Sequence, residues 1–271
     1  MTRISHRRTI AVDIGNSRIK FGLLSTPDGG KEFPVLDDSF FVKHGDAIPW
    51  ERIRDWVADA KIEPGEIAVA SVNPPALEQL LSLWAKQPIP QPIVVQTPEQ
   101  LDLQVLVDSS AKVGIDRLLN GIAGNRIRAA GQPLMILTSG TAGTIDLLDT
   151  SGAFVGGSIF SGLEMTARSL HDYTAQLPLL TVEELRTYFP SPLGKNTRDA
   201  MHAGIFWGHV GAVKELISRM SEPFDETPAL IVTGGAARML IPHLPSHARW
   251  IPHLVLYGLA ITVTGRHAVR Q

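Results

Sequence analysis

The sequence predicts an α/β protein of two similar lobes facing a cleft, and three observations lead there. Apolar runs of strand type alternate with segments of helical spacing along the chain. Each half opens on a hairpin with a small, polar turn: aligning VDIGNS (Val12 to Ser17) on LTSGTA (Leu137 to Ala142) superimposes Gly15 on Gly140 and Asp13 on Thr138, a weak internal repeat. The turn-forming Gly131-Gln132-Pro133 separates the halves, so the expected division is 1–131 and 132–271.

The elements follow in order. In TIAVDIGNSRIKFGLL, Thr9 to Leu24, an apolar strand stops on Asp13, turns through Gly15, Asn16 and Ser17, and continues as a second strand. DDSFFVKHGDAIPW adds a strand and a turn. WERIRDWVADAKI has helical spacing, with Trp50, Ile53, Val57 and Ala60 on or near one face. EIAVASVNP is a short buried strand, PALEQLLSLWAKQ a helix that begins at proline, QPIVVQT another strand and VGIDRLLNGIAGNRIRAAG another helix. The second half repeats the opening in PLMILTSGTAGTIDLLDTSGAFVGGSI, read as strand, glycine turn, strand, turn, strand. Helices at GLEMTARSLHDYTAQL and DAMHAGIFWGHVGAVKELISRM, the strand ALIVTGG and a closing helix at LVLYGLAITVTGRHA complete it.

Composition removes several function classes. With no cysteine there is no disulfide, thiolate metal site or cysteine nucleophile, so any metal must be held by oxygen or imidazole. The nine histidines include no HExxH and no close ligand pair, and the tryptophans Trp50, Trp56, Trp84, Trp207 and Trp250 read as packing residues and not as stacking platforms. A formal charge of −2, with 44 % hydrophobic and 19 % charged residues, gives no reason to expect nucleic acid or an anionic membrane as partner. The basic start MTRISHRR meets Asp13 before a signal core could form, and no apolar run reaches the ~18 residues of a membrane span, so a cytoplasmic location is expected.

The glycine turns suit phosphate. Glycine lets backbone N–H groups approach an anion, Asn16 and Ser17 add polar contacts, and Asp13 can hold magnesium directly or through water. Because a strand and not a helix follows, the loop is no GxxxxGK[ST] motif. A hairpin with a polar turn and no ligand remains the plain alternative. VTGG, Val232 to Gly235, adds a strand-to-helix turn suited to lie under an adenosine through Gly234 and Gly235. Asp116 and Arg117 open the helix VGIDRLLNGIAG, where the helix dipole favours negative charge and attracts an anionic substrate, although Asp116 could equally be a first-turn capping residue and Arg117 a solvated charge.

In this order and spacing the three loops resemble the acetate and sugar kinase, actin and chaperone-ATPase superfamily, which implies two ribonuclease-H-like lobes around an ATP cleft. DIGNSRIKFG, VGIDRLLN, GTAGTIDLL, GGSIFSGLEMTARSLHDYTAQLP, GKNTRDAMHAGIFWG and VTGGAA together resemble the type III pantothenate kinase family over nearly the whole chain. That resemblance implies ATP-dependent phosphorylation of pantothenate, the first step of coenzyme A synthesis, with Asp116 as proton acceptor. Gly114, Ile115, Arg117, Thr197 and the position of Val107 would meet pantothenate. Asp13, Ile14, Gly15, Asn16, Ser17, Arg18, Ile19 and Lys20 would hold ATP phosphates and magnesium, and Thr141 would touch ATP. The family's potassium-ligating aspartate falls at Thr138 and its aromatic residue at Val107, so a monovalent cation, potassium or ammonium, would here meet a hydroxyl. Ser17 replaces a threonine and keeps the hydroxyl. A homodimer is implied too, and the small residues of GIFWGHVGAV suit close helix contact either inside a lobe or across a dimer. Two other readings are a non-catalytic accessory or regulatory protein on the same fold, against which the presence of both Asp13 and Asp116 weighs, and a related kinase or phosphatase with another substrate, against which the DR and NT motifs weigh.

Overall fold

Apolar residues dominate the last five positions of the first strand because this part is covered on both faces: Ile10, Ala11, Val12 and Ile14 are all fully buried. The computed structural model describes residues 6–27, 32–187 and 189–268; the first five residues of the basic start lie outside that range. Strands β1 (His6–Ile14), β2 (Arg18–Pro27) and β3 (Val35–Lys43) form an antiparallel meander. Strands β4 (Ile67–Ser71) and β5 (Ile93–Val95) extend the sheet in parallel from the other side of β1, giving the order β3-β2-β1-β4-β5.

Helix α1 (Trp50–Asp59) lays Ile53 and Trp56 on this sheet. Helix α2 (Pro74–Trp84) starts at proline because Asn73 caps it, Oδ1 accepting the Ala76 amide at 3.2 Å, and it buries Leu77, Leu80 and Trp84. The Trp84 indole donates to the Pro90 carbonyl at 2.9 Å, so this large side chain is buried with its polar atom satisfied. Helix α3 (Ile115–Ile127) buries Leu118, Leu119 and Ile122, each worth ~1.5–3 kcal/mol, and these residues fix the helix whose first turn carries Asp116.

The second sheet repeats the first. Strands β6 (Leu134–Ser139), β7 (Ala142–Leu148) and β8 (Phe154–Ser161) form the meander, and β9 (Ala229–Thr233) and β10 (Arg249–Trp250) the parallel pair, in the order β8-β7-β6-β9-β10. The VDIGNS and LTSGTA turns therefore occupy the same place in two copies of one topology. Helices α4 (Leu163–Asp172), α5 (Val182–Thr187), α6 (Thr197–Ser221) and the single-turn α7 (Ala237–Leu240) belong to this half. Phe206, Val210, Val213 and Ile217 of α6 pack on Met135, Leu137, Ile145, Leu230 and Val232 of the sheet.

The described residues up to Arg128 and from His253 onward make one compact unit, and Ala129–Pro252 makes another. This differs from the division at 131/132, which assigned the closing helix to the second half. Helix α8 (Leu254–Ala268) instead packs against α3, β1, β2 and β4. Residues Leu254, Val255, Leu256, Leu259, Ala260, Ile261 and Val263 are all buried, so α8 has apolar residues on more than one face. Among the described residues no helix is long and apolar enough to cross a membrane.

Candidate active site

In the first unit the site begins where β1 ends. Asp13 and Ile14 pair with Ala70 and Ser71 of the parallel strand β4, and the Val72 amide continues the ladder to the Ile14 carbonyl at 3.1 Å. Val72 in turn lies beside Gly114, the residue that starts α3. The carboxyl ends of two neighbouring strands and the amino end of one helix thus converge, the usual place for a ligand on an open α/β sheet. Asp13 and Asp116 both sit on that edge.

Asp13 is only 4 % exposed. Its direct partner across the hairpin is Lys20, whose Nζ lies 2.7 Å from Asp13 Oδ2. The turn closes with the Gly15 amide donating to the Arg18 carbonyl at 3.1 Å, and His44 Nε2 lies 2.8 Å from the Gly15 carbonyl oxygen. Asn16 and Ser17 stand exposed at the tip. Ile14 and Ile19 send their side chains into the core, so they can offer a ligand main-chain atoms alone. Arg18 lays its guanidinium over the Phe41 ring at 4.8 Å. His253, held in the left-handed region at φ 58°, also belongs here: burial and the neighbouring Lys20 charge keep its imidazole below the usual pKa, with Asp13 pulling the other way.

Asp116 occupies the first turn of α3, where no side chain caps the helix from Gly114. Its Oδ1 accepts the Arg117 amide at 2.9 Å. That amide also donates to the Gly114 carbonyl at 3.0 Å, so the half-buried carboxylate shares a donor of the first turn and is not its sole partner. Ile115 is buried in the core, so it too can offer a substrate only its backbone, and Val107 is half-buried in irregular chain before the helix.

In the second unit the second loop gathers its own partners. The Gly140 amide donates to the Ala142 carbonyl at 3.1 Å, Thr141 is exposed at the tip, and the Gly162 amide, at the start of α4, donates to the Thr141 carbonyl at 3.2 Å. Gly234 has φ 100°, and a Cβ there would overlap the Ser139 carbonyl; the Ala236 amide donates to that same oxygen at 3.1 Å. Only glycine fits this turn, which locks the VTGG segment onto the second loop. Gly235 beside it is open, with Arg186 Nη2 3.9 Å from where a Cβ would stand. Arg186 is held by Glu164 of α4 at 2.9 Å.

Thr138 is half-buried and pairs with Thr144 on one side and Thr233 on the other, a row of hydroxyls across three strands. Asp146, fully buried one pair further along the same face, accepts the Thr144 hydroxyl at 3.2 Å. Thr197 stands apart from these groups. It opens α6 and lines a groove of about 780 Å³ between α4 and α6, with Thr166, Leu170, Lys195, Asn196 and Met201; no other expected site residue lines it.

Sequence reasoning missed four residues at these places. His44 and His253 come from remote chain with no motif. Asp146 sits within TIDLL, where an acidic residue in an apolar strand is itself a signal. Arg186 lies on α5, which begins with a legible capping box: Thr181 Oγ1 accepts the Glu184 amide, and Glu184 accepts the Thr181 amide.

Among the described residues no group of three or more His, Asp or Glu could cage a metal. One nearly buried carboxylate at a loop rich in amides would instead suit a magnesium ion that arrives with phosphates, since Mg²⁺ keeps several waters and takes one or two carboxylates from protein. The residues fit the ion in that form.

A profile of the type III pantothenate kinase family matches residues 9–219. A type III pantothenate kinase from Gluconobacter oxydans is 35 % identical over 193 residues, 71 % of this chain and 69 % of that protein. Among solved structures, a conserved Baf family protein from Campylobacter jejuni has a TM-score of 0.58 at 20 % identity, covering 96 % of this chain and 99 % of that one. A glucokinase from an Antarctic psychrotroph has a TM-score of 0.51 at 11 % identity, with coverage of 96 % and 99 %. Both share the fold, that of the sugar kinases and actin-like ATPases, as the loop pattern predicts. Since the family match runs through the first loop, the Gly114–Arg117 segment, the second loop and Thr197, the chain belongs to the type III pantothenate kinase family.

Proposed function

We propose that this protein transfers the γ-phosphoryl group of ATP to the primary hydroxyl of pantothenate, giving 4'-phosphopantothenate and ADP at the first step of coenzyme A synthesis. The observation that carries the reading is the placement of Asp13 and Asp116 on the carboxyl edge of one sheet, joined through Ile14, Val72 and Gly114. One carboxylate is nearly buried beside a phosphate-type turn; the other stands at a helix amino end that also favours an anionic substrate.

Each residue has a defined task. Asp116 accepts the hydroxyl proton as the hydroxyl oxygen bonds to phosphorus and the bond to the ADP oxygen breaks. The amides and side chains of Asn16 and Ser17 at the tip of the turn hold phosphate oxygens, and Lys20 adds positive charge. Thr141, Gly234 and Gly235 are the nucleotide contacts that the family resemblance implies. Magnesium, with Asp13 as its protein ligand, supplies charge neutralisation on the phosphates when bound. Gly114, Arg117 and the backbone of Ile115 orient pantothenate, so most of the rate comes from positioning, and Thr197 is a further contact that the family resemblance implies. Potassium or ammonium at Thr138, a cytoplasmic location and a homodimer belong to the same reading and are supported by the family alone. A coupled ADP-release assay with and without pantothenate tests it: release that pantothenate does not stimulate overturns it. Sedimentation over a range of concentrations tests the dimer.

A further inference from the structure

We propose that the Lys20 ammonium is a resident stand-in for magnesium at Asp13, so that the metal enters with the nucleotide and is refused on its own. This rests on the reading of Asp13 as the magnesium ligand and extends it to the order in which the site is filled.

The hairpin makes the stand-in unavoidable. Asp13 and Lys20 are direct partners in the β1–β2 register, which puts both side chains on one face and within reach. Nζ and Oδ2 are 2.7 Å apart, while the Asp13 side chain is 6 % exposed and that of Lys20 32 %. A carboxylate taken this far from water needs a counter-charge at all times. Magnesium alone supplies it poorly: one carboxylate is a weak magnesium ligand set, and a free ion would have to shed water and expel an ammonium already in contact. A metal–nucleotide complex changes the balance. The metal then neutralises Asp13, and the released ammonium, on a flexible four-carbon stem with its outer part in solvent, gains phosphate oxygens in exchange. No charge is left bare at any stage, and the hairpin backbone need not move.

A merely structural ion pair predicts that losing Lys20 lowers stability whatever the metal. The stand-in predicts that magnesium restores it. The test follows the thermal midpoint of wild type, Lys20→Met and Lys20→Arg in magnesium chloride titrations at constant ionic strength, first without nucleotide and then with adenylyl imidodiphosphate. Lys20→Met is expected to melt lower in metal-free buffer and to be restored by magnesium alone, with half-saturation at least about tenfold below wild type, since an opposite charge within ~4–6 Å shifts a carboxylate's ionic equilibria by about one to three decades. Without nucleotide, wild type and Lys20→Arg should respond only at magnesium concentrations above that range, and the nucleotide analogue should bring their response down into it. If Lys20→Met does not fold, Lys20→Gln, whose amide can still donate to Oδ2, carries the same comparison. A Lys20→Met or Lys20→Gln midpoint no more sensitive to magnesium than wild type overturns the inference. Calorimetry of the analogue with Asp13→Asn separates this from the underlying reading: unchanged magnesium dependence there removes Asp13 as the ligand, whereas its loss, beside an unresponsive Lys20→Met, removes the stand-in alone.

Discussion

The Asp116 carboxylate accepts the amide of its own neighbour, Arg117, at 2.9 Å, so one group serves both the helix end and the reaction proposed for it. The two roles come apart on substitution. Asp116→Asn keeps a carbonyl oxygen for the Arg117 amide but cannot take a proton, and turnover should fall by ~10²–10⁴-fold with the melting temperature little changed. Asp116→Ala loses both roles and should melt lower as well. Coupled ADP release and thermal melts on the two variants check this; an asparagine variant within a few-fold of wild type would return Asp116 to a helix-end residue.

Helix α3 is held in place by a close approach to α8, and that contact is open to test. A Cβ on Gly258 would overlap the Leu119 carbonyl oxygen and crowd the rest of that residue's backbone. Gly258→Ala must push the helices apart, at a cost of ~1–3 kcal/mol, and carry the first turn of α3 with it. We expect lower stability in denaturant and a reduced kcat, with KM for ATP nearly unchanged. Wild-type stability would mean that the two helices separate freely and that their contact does not position Asp116.

His209 on α6 makes the second unit sensitive to acid. Its ring lies 5.3 Å from Phe160, its Nε2 is buried without a partner, and burial holds its pKa below the usual value against a main-chain hydrogen bond at Ser161. The folded protein therefore binds this proton less readily than the unfolded chain. The stabilising contribution is complete above the unfolded pKa of ~6.5 and is lost as pH falls below it towards the folded value, at no more than ~1.4 kcal/mol per pH unit for one proton. Chemical denaturation between pH 7.5 and pH 5 should show this fall, and His209→Phe should flatten it. His202 and His253 are lowered by burial too and account for slope that remains. An unchanged slope in the variant would clear His209 of the effect.

What could be read from the sequence was what local physics decides. The β1–β2 hairpin follows from an apolar run that stops on Asp13 before Gly-Asn-Ser, α2 from Asn73-Pro74, and the second sheet from the echo of the first. Asp13 and Asp116 were legible as charges at places where strands end and helices begin. Contacts between remote segments were not. The spacing of α8 marks an apolar helix, yet says nothing of which sheet it covers, and it covers the first. Ile14, Ile19 and Ile115 sit inside functional motifs, but their side chains answer to the core. His44, in the turn after the third strand, and His253 reach the first loop by contacts between remote segments that local pattern does not encode, and β10 is two residues long, too short to carry a period.

The last prediction concerns the hydroxyl row. Where the family resemblance implies a carboxylate for a monovalent cation, this chain has Thr138, flanked in register by Thr144 and Thr233. Hydroxyls supply oxygen but no full charge, and a unit-charge attraction at ~4 Å is worth ~1 kcal/mol in water and ~4 kcal/mol at a surface-like dielectric, about one decade in affinity or more. Potassium activation should therefore be weaker than the family pattern implies, and Thr138→Asp should strengthen it. Asp146 sets the limit of that gain. It lies on the same face, fully buried, and a second carboxylate nearby repels it, so Thr138→Asp should also lower stability in potassium-free buffer and regain it as potassium is added. Initial rates and melting temperatures against potassium chloride, with choline chloride holding ionic strength constant, measure both effects for the two proteins. Saturation at the same low potassium concentration in both would mean that a carboxylate at 138 is dispensable, with Asp146 already providing the charge.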